Sequence, residues 1–305
     1  MDAATIYQAV NTKYSEVASH AEEVRAQASK STRIAASFGY SAEDLASLPT
    51  GTNLGLSCGN PLATANLQPA ENMVDLGSGG GLDCLIAAKQ MLTGSPSPSG
   101  KIYGVDRSEA MIALATKNAA KANLPEGLVE FIQAPISDIP LRDSTIDLVV
   151  SNCVINLVPD EDKPIVFKEI HRLLKPGGRV AISDLLAKKP MPEHIRRDAA
   201  LLVGCVAGAS LVEEYRRWME EAGFQKDSIA FINTEKDLNV YHDVDGTAPC
   251  CIEDTESKSC CDKSTDSGCC VEKNGSKPCC TTNGEPGNKM DFNEWVASYQ
   301  IYAIK

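Results

Sequence analysis

The stretch that most constrains the fold is residues 73–84, where an apolar run ends at Asp75 and a glycine-rich turn leads into a second apolar segment. Glycine occupies the second, fourth and sixth positions after Asp75. Because glycine tolerates positive φ and lets a ligand approach the backbone, this order is typical of a strand, a tight turn and a helix start. A dinucleotide-binding fingerprint requires glycine at position 82, where this chain has Leu82. The loop therefore predicts a nucleoside-type ligand rather than a pyrophosphate.

Segments typical of strands and helices alternate after this loop. We expect strands over 72–76, 102–106, 129–133, 146–152 and 179–184, and helices over 82–92, 108–122 and 162–174. The alternation predicts an α/β fold with a doubly wound, mostly parallel sheet, in which the almost wholly apolar strand 146–152 is central. Two further strand-like segments, 224–234 and 294–304, predict an antiparallel pair that closes one edge of the sheet.

Helix-forming sequence flanks the predicted sheet. Residues 3–28 carry apolar side chains at helical spacing, and residues 192–206 and 211–222 predict helices of a small substrate-binding region. The predicted organisation is N-terminal helices and a substrate loop over 1–71, a cofactor-binding core over 72–189, substrate-binding helices and a strand over 190–244, an insertion over 245–290 and an edge strand over 291–305. The insertion is rich in Ser, Thr, Asp, Lys and Gly, so we expect it to be disordered.

The composition excludes some classes of partner. Hydrophobic residues make up 43% of the 305 residues and charged residues 23%, which is ordinary for a soluble globular protein. The net charge of −12 and the lack of a basic run argue against nucleic acid or an anionic membrane as a partner. No apolar stretch is long enough to span a bilayer, and the start lacks the pattern of a secretory signal. We expect a cytoplasmic protein that is a monomer by default.

The ends of the predicted strands place acidic residues at one edge of the sheet. In a doubly wound sheet the ligand binds outside the carboxyl ends of the strands, where Asp75 and Asp106 end the first two. Asp106 is well placed to accept hydrogen bonds from two ribose hydroxyls; the alternative is that it caps the helix opening at Ser108. Asp138, after the third strand, is either part of an adenine-binding wall or a plain turn residue.

These features together resemble the class I S-adenosylmethionine-dependent methyltransferases. The resemblance rests on the Asp-x-Gly-x-Gly-x-Gly loop, the acid after the second strand, the sequence KPGG at 175–178 and the antiparallel closing strand, and it covers about residues 72–186 and the tail. It implies a Rossmann-like fold with S-adenosylmethionine as cofactor. The residues that we expect to bind the cofactor are Asp75, Gly77, Ser78, Gly79, Gly81, Asp106, Arg107, Ala134, Pro135, Ile136 and Asn152.

Twelve cysteines are the most unusual part of the composition. Four of them lie outside the insertion, at Cys58, Cys84, Cys153 and Cys205. Cys84 lies one turn inside the first helix after the glycine loop, and we interpret it as a packed core thiol. Taken singly, each of the other three also fits a buried free cysteine.

The sequences around these cysteines resemble the arsenite methyltransferases. The matching segments are SCG at 57–59, GGGLDC at 79–84, SNCVINL at 151–157 and GCVAG at 204–208. In that family the matching cysteines bind trivalent arsenic as thiolates, which implies this role for Cys58, Cys153 and Cys205. The resemblance also implies arsenite or thiol-conjugated As(III) as substrate, glutathione or thioredoxin as a reducing co-substrate, and a role in arsenic detoxification.

The chain departs from the four-thiol members of that family, which carry a further cysteine before the glycine-rich connection. Residues 29–37 contain none. In the family that cysteine is thought to pair with the equivalent of Cys58 and to help keep the product arsenic trivalent. Its absence either puts repeated methylation in doubt or shifts the reduction to external thiols.

The insertion carries four vicinal cysteine pairs at spacings of nine or ten residues. The pairs are Cys250 and Cys251, Cys260 and Cys261, Cys269 and Cys270, and Cys279 and Cys280. Adjacent cysteines suit a soft ion better than a structural disulfide. Three interpretations stay open: capture or delivery of As(III), a zinc or cadmium sink, and a tolerated disordered loop.

Three functions are compatible with these patterns. The leading one is methyl transfer from S-adenosylmethionine to thiol-bound arsenite. The alternatives are a small-molecule C- or N-methyltransferase of the sterol or quinone type, and a soft-metal-binding protein that acts through its cysteine pairs. Trivalent arsenic is thiophilic and its lone pair needs no general base, so the leading function requires only three thiols and an aligned methyl donor.

Overall fold

The computed structural model describes residues 2–21, 28–198, 201–202, 204–243 and 290–305. The chain divides into two compact units, Met1–Leu238 with Phe292–Lys305, and Asn239–Asp291. In the second unit, Nδ2 of Asn239 donates a hydrogen bond to Oδ1 of Asp291 over 2.9 Å. The vicinal cysteine pairs from Cys250 to Cys280 lie outside the described residues. The disorder and ion capture expected of the insertion, and the finer division of the chain into regions, therefore stay predictions.

The first unit is built around a sheet with seven strands in its described residues. The strands are β1 (Met73–Leu76), β2 (Ile102–Asp106), β3 (Val129–Gln133), β4 (Ile146–Asn152), β5 (Leu174–Ala187), β6 (Ile229–Asn233) and β7 (Val296–Ile304). Their order is β3-β2-β1-β4-β5-β7-β6. Neighbours from β3 to β5 pair in parallel, and β7 pairs antiparallel with both β5 and β6. The predicted doubly wound, mostly parallel sheet with an antiparallel closing strand is confirmed.

Helices precede, separate and follow the strands. They are α1 (Ala3–His20), α2 (Ala28–Ser37), α3 (Ala42–Ala46), α4 (Leu62–Ala65), α5 (Leu82–Gly94), α6 (Glu109–Lys121), α7 (Lys163–Leu173), α8 (Glu193–Arg196), α9 (Val212–Ala222) and α10 (Phe292–Trp295). Short 3₁₀ turns cover Ile155–Leu157, Lys226–Ser228 and Leu238–Asp243. Within the described ranges, no helix is long and apolar enough to cross a membrane.

The central strands of the sheet are buried on both faces, as their apolar sequences predict. All four residues of β1 are buried, and successive side chains point to opposite faces. Val74 and Leu76 belong to a core cluster with α7 and α9, whereas Met73 belongs to one with α5. Because β1 lies between β2 and β4, the strand order reverses there. Ligand-binding residues of such a sheet collect at the carboxyl ends of these strands.

The segment expected to form a helix over 192–206 is the main difference from the sequence prediction. It does not form one element, since α8 covers only Glu193–Arg196. Cys205 has a φ of 62°, and an α-helix does not continue through a residue in the left-handed region. The prediction of a continuous helix is therefore wrong, and Cys205 lies in a loop.

The first residues of β5 and β7 also differ from the prediction. β5 begins at Leu174 rather than at 179, and the KPGG residues form its irregular first part, with Gly177 at a φ of 79°. At the other end of the chain, residues 292–295 are helical, so β7 starts later than predicted.

Candidate active site

The glycine loop follows β1 and forms one wall of a large cavity, which we call the glycine-loop cavity. Gly77, Gly79 and Gly81 all have positive φ, between 51° and 88°. A Cβ atom at Gly77 would overlap the side chain of Val154, so this position requires glycine for the loop to lie against the segment after β4. The tight turn that the sequence predicts is confirmed.

Asp106 ends β2 beside this loop, and its carboxylate organises the neighbouring backbone. Its Oδ2 accepts a hydrogen bond from the N–H of Gly79 over 3.0 Å, and its Oδ1 accepts one from the N–H of Ser108 over 2.9 Å. Ser108 caps α6, since its side chain accepts from the N–H of Met111. The alternative assignment of Asp106 as the helix cap is therefore wrong. Burial raises the pKa of Asp106, and the N–H donors of Ser108 and Gly79 oppose that shift.

Most residues expected to bind the cofactor line the glycine-loop cavity. Those that do are Asp75, Gly77, Ser78, Gly79, Asp106, Arg107, Pro135, Ile136 and Asn152. Gly81 and Ala134 do not line the cavity, but each hydrogen-bonds a residue that does. The N–H of Gly81 donates to the carbonyl of Ser78 over 2.8 Å, and that of Ala134 donates to the carbonyl of Asp106 over 3.0 Å.

Helix α1 forms another part of the wall, which the sequence did not predict. Its residues Tyr7, Val10, Asn11 and Tyr14 line the cavity. The guanidinium of Arg107 lies over the Tyr7 ring, 4.1 Å from its centroid, and the Tyr7 hydroxyl donates to Oδ2 of Asp162 over 2.8 Å. The helical spacing of Val10 and Tyr14 indicated a packed face, but not that a ligand cavity lies against it.

Three buried polar atoms of the cavity residues have no hydrogen-bond partner within the described chain. They are Oγ1 of Thr52, Nδ2 of Asn53 and Oγ of Ser78. Because buried polar atoms in folded proteins are nearly always paired, these atoms indicate a polar ligand. A ligand with ribose hydroxyls and further polar groups fits a wall that combines them with the carboxylates of Asp75 and Asp106.

Three cysteines from distant parts of the chain meet beside this cavity and form what we call the thiol cluster. Cys58 lies in the loop between α3 and α4, Cys153 directly follows β4, and Cys205 lies between α8 and α9. Their sulfur atoms all lie within 4.8 Å of one another, and each residue is at most 4% exposed. The sulfurs of Cys58 and Cys153 are in contact, and their Cα separation of 5.6 Å also permits a disulfide. Because Cys153 lines the glycine-loop cavity, the cluster and the cavity share a wall.

The backbone at Cys153 and Cys205 is left-handed, with φ values of 59° and 62°. This conformation is costly for residues other than glycine and persists where surrounding contacts fix it. The N–H of Cys153 donates to the carbonyl of Ser183 over 2.9 Å, and Sγ of Cys205 donates to the carbonyl of Cys153 over 3.0 Å. Burial raises the pKa of the Cys205 thiol well above its ordinary value, so this cysteine is a neutral thiol in the free protein at pH 7.

Cys84 lies outside the thiol cluster. It is fully buried in α5, and its Sγ donates to Oδ2 of Asp75 over 3.3 Å. The interpretation of Cys84 as a packed core thiol is confirmed.

Asp184, on β5 near Cys205, gives a pH-dependent prediction. Burial raises the pKa of Asp184 to about 7, against the hydrogen bonds that its carboxylate accepts from Leu185 and Tyr215. In the unfolded chain the group titrates near pH 4, so between about pH 4 and pH 7 the folded chain binds more protons than the unfolded chain. The protonated Asp184 therefore contributes its full stabilisation of the folded chain below pH 4, and this stabilisation is lost as the pH rises to 7.

We expect Asp184→Asn to remove this pH-dependent loss of stability, because asparagine does not titrate. The unfolding free energy of the wild type then falls more steeply than that of the variant across this window, by up to about 1.4 kcal/mol per pH unit. Urea unfolding of both proteins at several pH values measures the two slopes. Parallel slopes would contradict the prediction.

Residues 67–223, just over half of the chain, match the family model of a methyltransferase domain. The chain belongs to the methyltransferase domain family. Among curated relatives of the chain, the arsenite methyltransferase of Halobacterium salinarum is 44% identical over 193 residues, which are 63% of this chain and 47% of the relative. The human arsenite methyltransferase is 33% identical over 159 residues, 50% of this chain and 40% of the relative. The chain thus spans less than half the length of these curated relatives.

Two solved structures of methyltransferases are similar to the chain. The crystal structure of an arsenic(III) S-adenosylmethionine methyltransferase from Chlamydomonas reinhardtii matches with a TM-score of 0.51 and 30% identity, covering 70% of this chain and 69% of that chain. A phosphoethanolamine N-methyltransferase from Haemonchus contortus matches with a TM-score of 0.53 and 18% identity, covering 80% of this chain and 52% of that chain, and shares the fold alone.

Proposed function

We propose that this methyltransferase transfers the methyl group of S-adenosylmethionine to trivalent arsenic held by the thiolates of Cys58, Cys153 and Cys205. The observation that carries the proposal is the thiol cluster, whose three buried sulfurs lie within 4.8 Å of one another and share a wall with the glycine-loop cavity. A site of sulfur ligands alone suits a soft, thiophilic ion, and trivalent arsenic takes three such ligands. The names of the curated relatives support the same substrate.

The glycine-loop cavity is the proposed donor site. Asp106, Pro135, Ile136 and the glycine loop line this cavity. Asp106 would accept hydrogen bonds from the ribose hydroxyls, Pro135 and Ile136 would contact the base, and the glycine loop would leave room for the amino-acid part of the donor. When bound, S-adenosylmethionine supplies an electrophilic methyl group on a sulfonium sulfur that leaves as a neutral thioether.

The thiol cluster takes up arsenite without a separate base. As(OH)₃ exchanges three hydroxides for three thiolates, and each thiol proton leaves in a water molecule, so one As(OH)₃ and three thiols give As(SR)₃ and three waters. The raised pKa of Cys205 is compatible with this exchange, because its proton leaves together with a hydroxide of the substrate.

Methyl transfer then depends on alignment. The arsenic of As(SR)₃ keeps a lone pair. Because Cys153 lines the glycine-loop cavity, its sulfur would hold the arsenic next to the proposed donor site. Attack on the methyl carbon forms the As–C bond and oxidises arsenic from As(III) to As(V). Two external thiols, from glutathione or thioredoxin, return it to As(III) and leave as one disulfide. One As–S bond to the protein breaks in this step, because methylarsenic(III) keeps only two thiolates. One thiol proton goes to the released protein thiolate and the other to solvent. A reducing compartment such as the cytoplasm meets this need, and we propose that the chain acts there as a monomer.

The direct test is an incubation with arsenite, glutathione and methyl-labelled donor, followed by separation of the arsenic species. We expect label in methylated arsenicals, and no label transfer when arsenite is left out. The absence of label from every arsenic species would contradict the proposal.

The same assay separates the alternatives. A small-molecule C- or N-methyltransferase keeps its activity when Cys153 and Cys205 are changed to serine. A soft-metal-binding protein binds arsenite but transfers no label to it.

For the insertion, we propose that the vicinal cysteine pairs of residues 250–280 capture As(III) and deliver it to the thiol cluster. Deletion of residues 249–281 is expected to lower the arsenite bound per chain to a single equivalent and to slow turnover when arsenite is limiting. Turnover at saturating arsenite is expected to be unchanged, because the thiol cluster remains. Capture would be excluded if the deletion changed neither the arsenite stoichiometry nor the turnover at limiting arsenite. If the deletion variant lost zinc or cadmium binding while its arsenite binding and methylation were unchanged, the insertion would be a metal sink.

A further inference from the structure

We propose that Asn152 and Asn156 are positioning residues that hold the loops of Cys58 and Cys205 against Cys153. The inference rests on the proposed function, since it concerns the geometry of the same thiol cluster. The two asparagines stand on either side of Cys153 in one short segment, and each contacts the loop that carries one of the other two cysteines.

Asn152 holds the Cys58 loop through both ends of its amide. Its Oδ1 accepts from the N–H of Cys58 over 3.1 Å, and its Nδ2 donates to the carbonyl of Gly59 over 2.9 Å. The same Nδ2 lies 2.7 Å from the hydroxyl of Tyr40, which donates to Oδ1 of the buried Asp83 over 2.7 Å. The amide of Asn152 therefore hydrogen-bonds the Cys58 loop, and its side chain also lines the glycine-loop cavity.

The Cys58 loop lies against β5 and β7. A Cβ atom at Gly59 would lie 2.6 Å from Cβ of Ser183, so glycine is required for this approach. The hydroxyl of Ser298 donates to the carbonyl of Cys58 over 2.6 Å. Since Asn152 binds both the N–H of Cys58 and the following carbonyl, it fixes the peptide that carries the sulfur.

Asn156 holds the Cys205 loop from the other side of Cys153. It is fully buried, and its Nδ2 lies 3.3 Å from the carbonyl of Cys205, 2.9 Å from Oδ1 of Asp184 and 2.6 Å from the carbonyl of Leu185. The hydroxyl of Tyr215 lies 3.1 Å from both Oδ1 of Asn156 and Oδ2 of Asp184. This network fixes the orientation of the Asn156 amide.

The rest of the Cys205 loop also packs on Asn156. A Cβ atom at Gly208 would overlap the carbonyl oxygen of Asn156, so the loop passes directly over its backbone. Nζ of the fully buried Lys163 donates to the carbonyl of Gly208 over 2.6 Å and to the hydroxyl of Ser210 over 2.9 Å, which anchors the far end of the loop.

An asparagine side chain suits this task because it offers a donor and an acceptor and carries no charge. Cys58 and Cys205 lie in loops, whereas Cys153 directly follows β4. Without the two amides, the sulfurs of Cys58 and Cys205 lose the positions from which they and the sulfur of Cys153 reach one arsenic atom. We therefore expect loss of Asn156 to release Cys205 while leaving Cys58 and Cys153 in contact.

The test compares two arsenic probes in the 305-residue chain. The eight cysteines of the vicinal pairs are replaced by serine, so that the thiol cluster is the arsenic site measured. Inorganic arsenite requires three thiols, whereas a phenyl-substituted As(III) compound requires two and can bind Cys58 and Cys153 alone. Near-ultraviolet As–S absorbance and competition with a dithiol give both affinities without donor present. The affinity for S-adenosylhomocysteine is measured separately.

Asn156→Ala is expected to lower the arsenite affinity by about 10-fold or more. It is expected to leave the affinities for the phenyl arsenical and for S-adenosylhomocysteine unchanged, because Asn156 contacts neither the Cys58 loop nor the glycine-loop cavity. Asn152→Ala is expected to weaken both arsenicals. Tyr215→Phe keeps the ring packed on Phe167 and Trp218 while removing the hydroxyl that orients Asn156, and is expected to weaken arsenite selectively as well.

The matched control is Asn72→Ala. Nδ2 of Asn72 donates to the carbonyl of Thr145 and its Oδ1 accepts from the N–H of Lys101, so it also bridges backbone segments, but ahead of β1. We expect its loss to leave both arsenic affinities unchanged. Equal losses for the two arsenicals in Asn156→Ala and Tyr215→Phe, or no loss for arsenite, would overturn the positioning role. If the parent protein shows no three-sulfur arsenite band, the proposed function itself fails.

Discussion

Replacing Cys153 by serine is expected to reduce methyl transfer to arsenic by about 100-fold or more while donor binding is retained. Cys153 is the residue shared by the thiol cluster and the glycine-loop cavity. A serine hydroxyl has the shape of the thiol but is a hard ligand that trivalent arsenic binds poorly, so the variant loses the sulfur that places arsenic next to the methyl group. The rate of label transfer to arsenic and the affinity for S-adenosylhomocysteine give the two quantities.

The matched control for this substitution is Cys84→Ser. Cys84 is also buried, but it lies in α5 and its sulfur contacts Asp75 rather than the thiol cluster. A serine at this position can keep the hydrogen bond to the carboxylate, and we expect label transfer to stay close to that of the wild type. A Cys153→Ser variant that methylates at the wild-type rate would show that the acceptor is not arsenic held by this cluster.

Replacing Asp106 by alanine is expected to weaken donor binding by about 100-fold, since two hydrogen bonds between a carboxylate and ribose hydroxyls are worth about 3 kcal/mol or more. The substitution also leaves the N–H groups of Gly79 and Ser108 without their acceptor. Arsenite affinity is expected to be unchanged, because Asp106 lies outside the thiol cluster. Calorimetric titration with S-adenosylhomocysteine measures the first effect and As–S absorbance the second.

Asp138 provides the control for Asp106. It is exposed, it does not line the glycine-loop cavity, and its N–H donates to the carbonyl of Pro135 in a turn. Asp138→Ala is therefore expected to leave donor affinity unchanged. Equal donor affinities in Asp106→Ala and the wild type would rule out the ribose role of Asp106.

The sheet and the glycine-loop cavity follow from local sequence. Strand, turn and helix signals around Asp75 lie within a dozen residues, and the parallel topology then dictates that Asp106 ends the neighbouring strand at the same edge. These features depend on short-range patterns and on the strand order, so residue types and spacing were sufficient to predict them.

The thiol side depends on contacts between distant segments. Cys58, Cys153 and Cys205 each look like ordinary buried cysteines, and only the resemblance to a family predicted that they meet. The expected helix ends at Arg196, and Cys205 has a positive φ that an α-helix does not accommodate. Cys205 is held by tertiary contacts with Asn156 and Cys153 that no local pattern contains. The same limit applies to Tyr7 and its neighbours in α1, whose helical periodicity is the same whether they pack on a core or on a ligand.

Arsenic K-edge X-ray absorption during a single turnover tests most directly whether this thiol cluster holds the arsenic that is methylated, in the 305-residue chain whose vicinal cysteine pairs are replaced by serine. With one equivalent of arsenite and no donor, we expect an arsenic atom bound by three sulfurs. Addition of S-adenosylmethionine is then expected to introduce a carbon neighbour on the same arsenic. An arsenic atom that keeps oxygen ligands before the donor is added, or that gains no carbon afterwards, would contradict methylation at the thiol cluster.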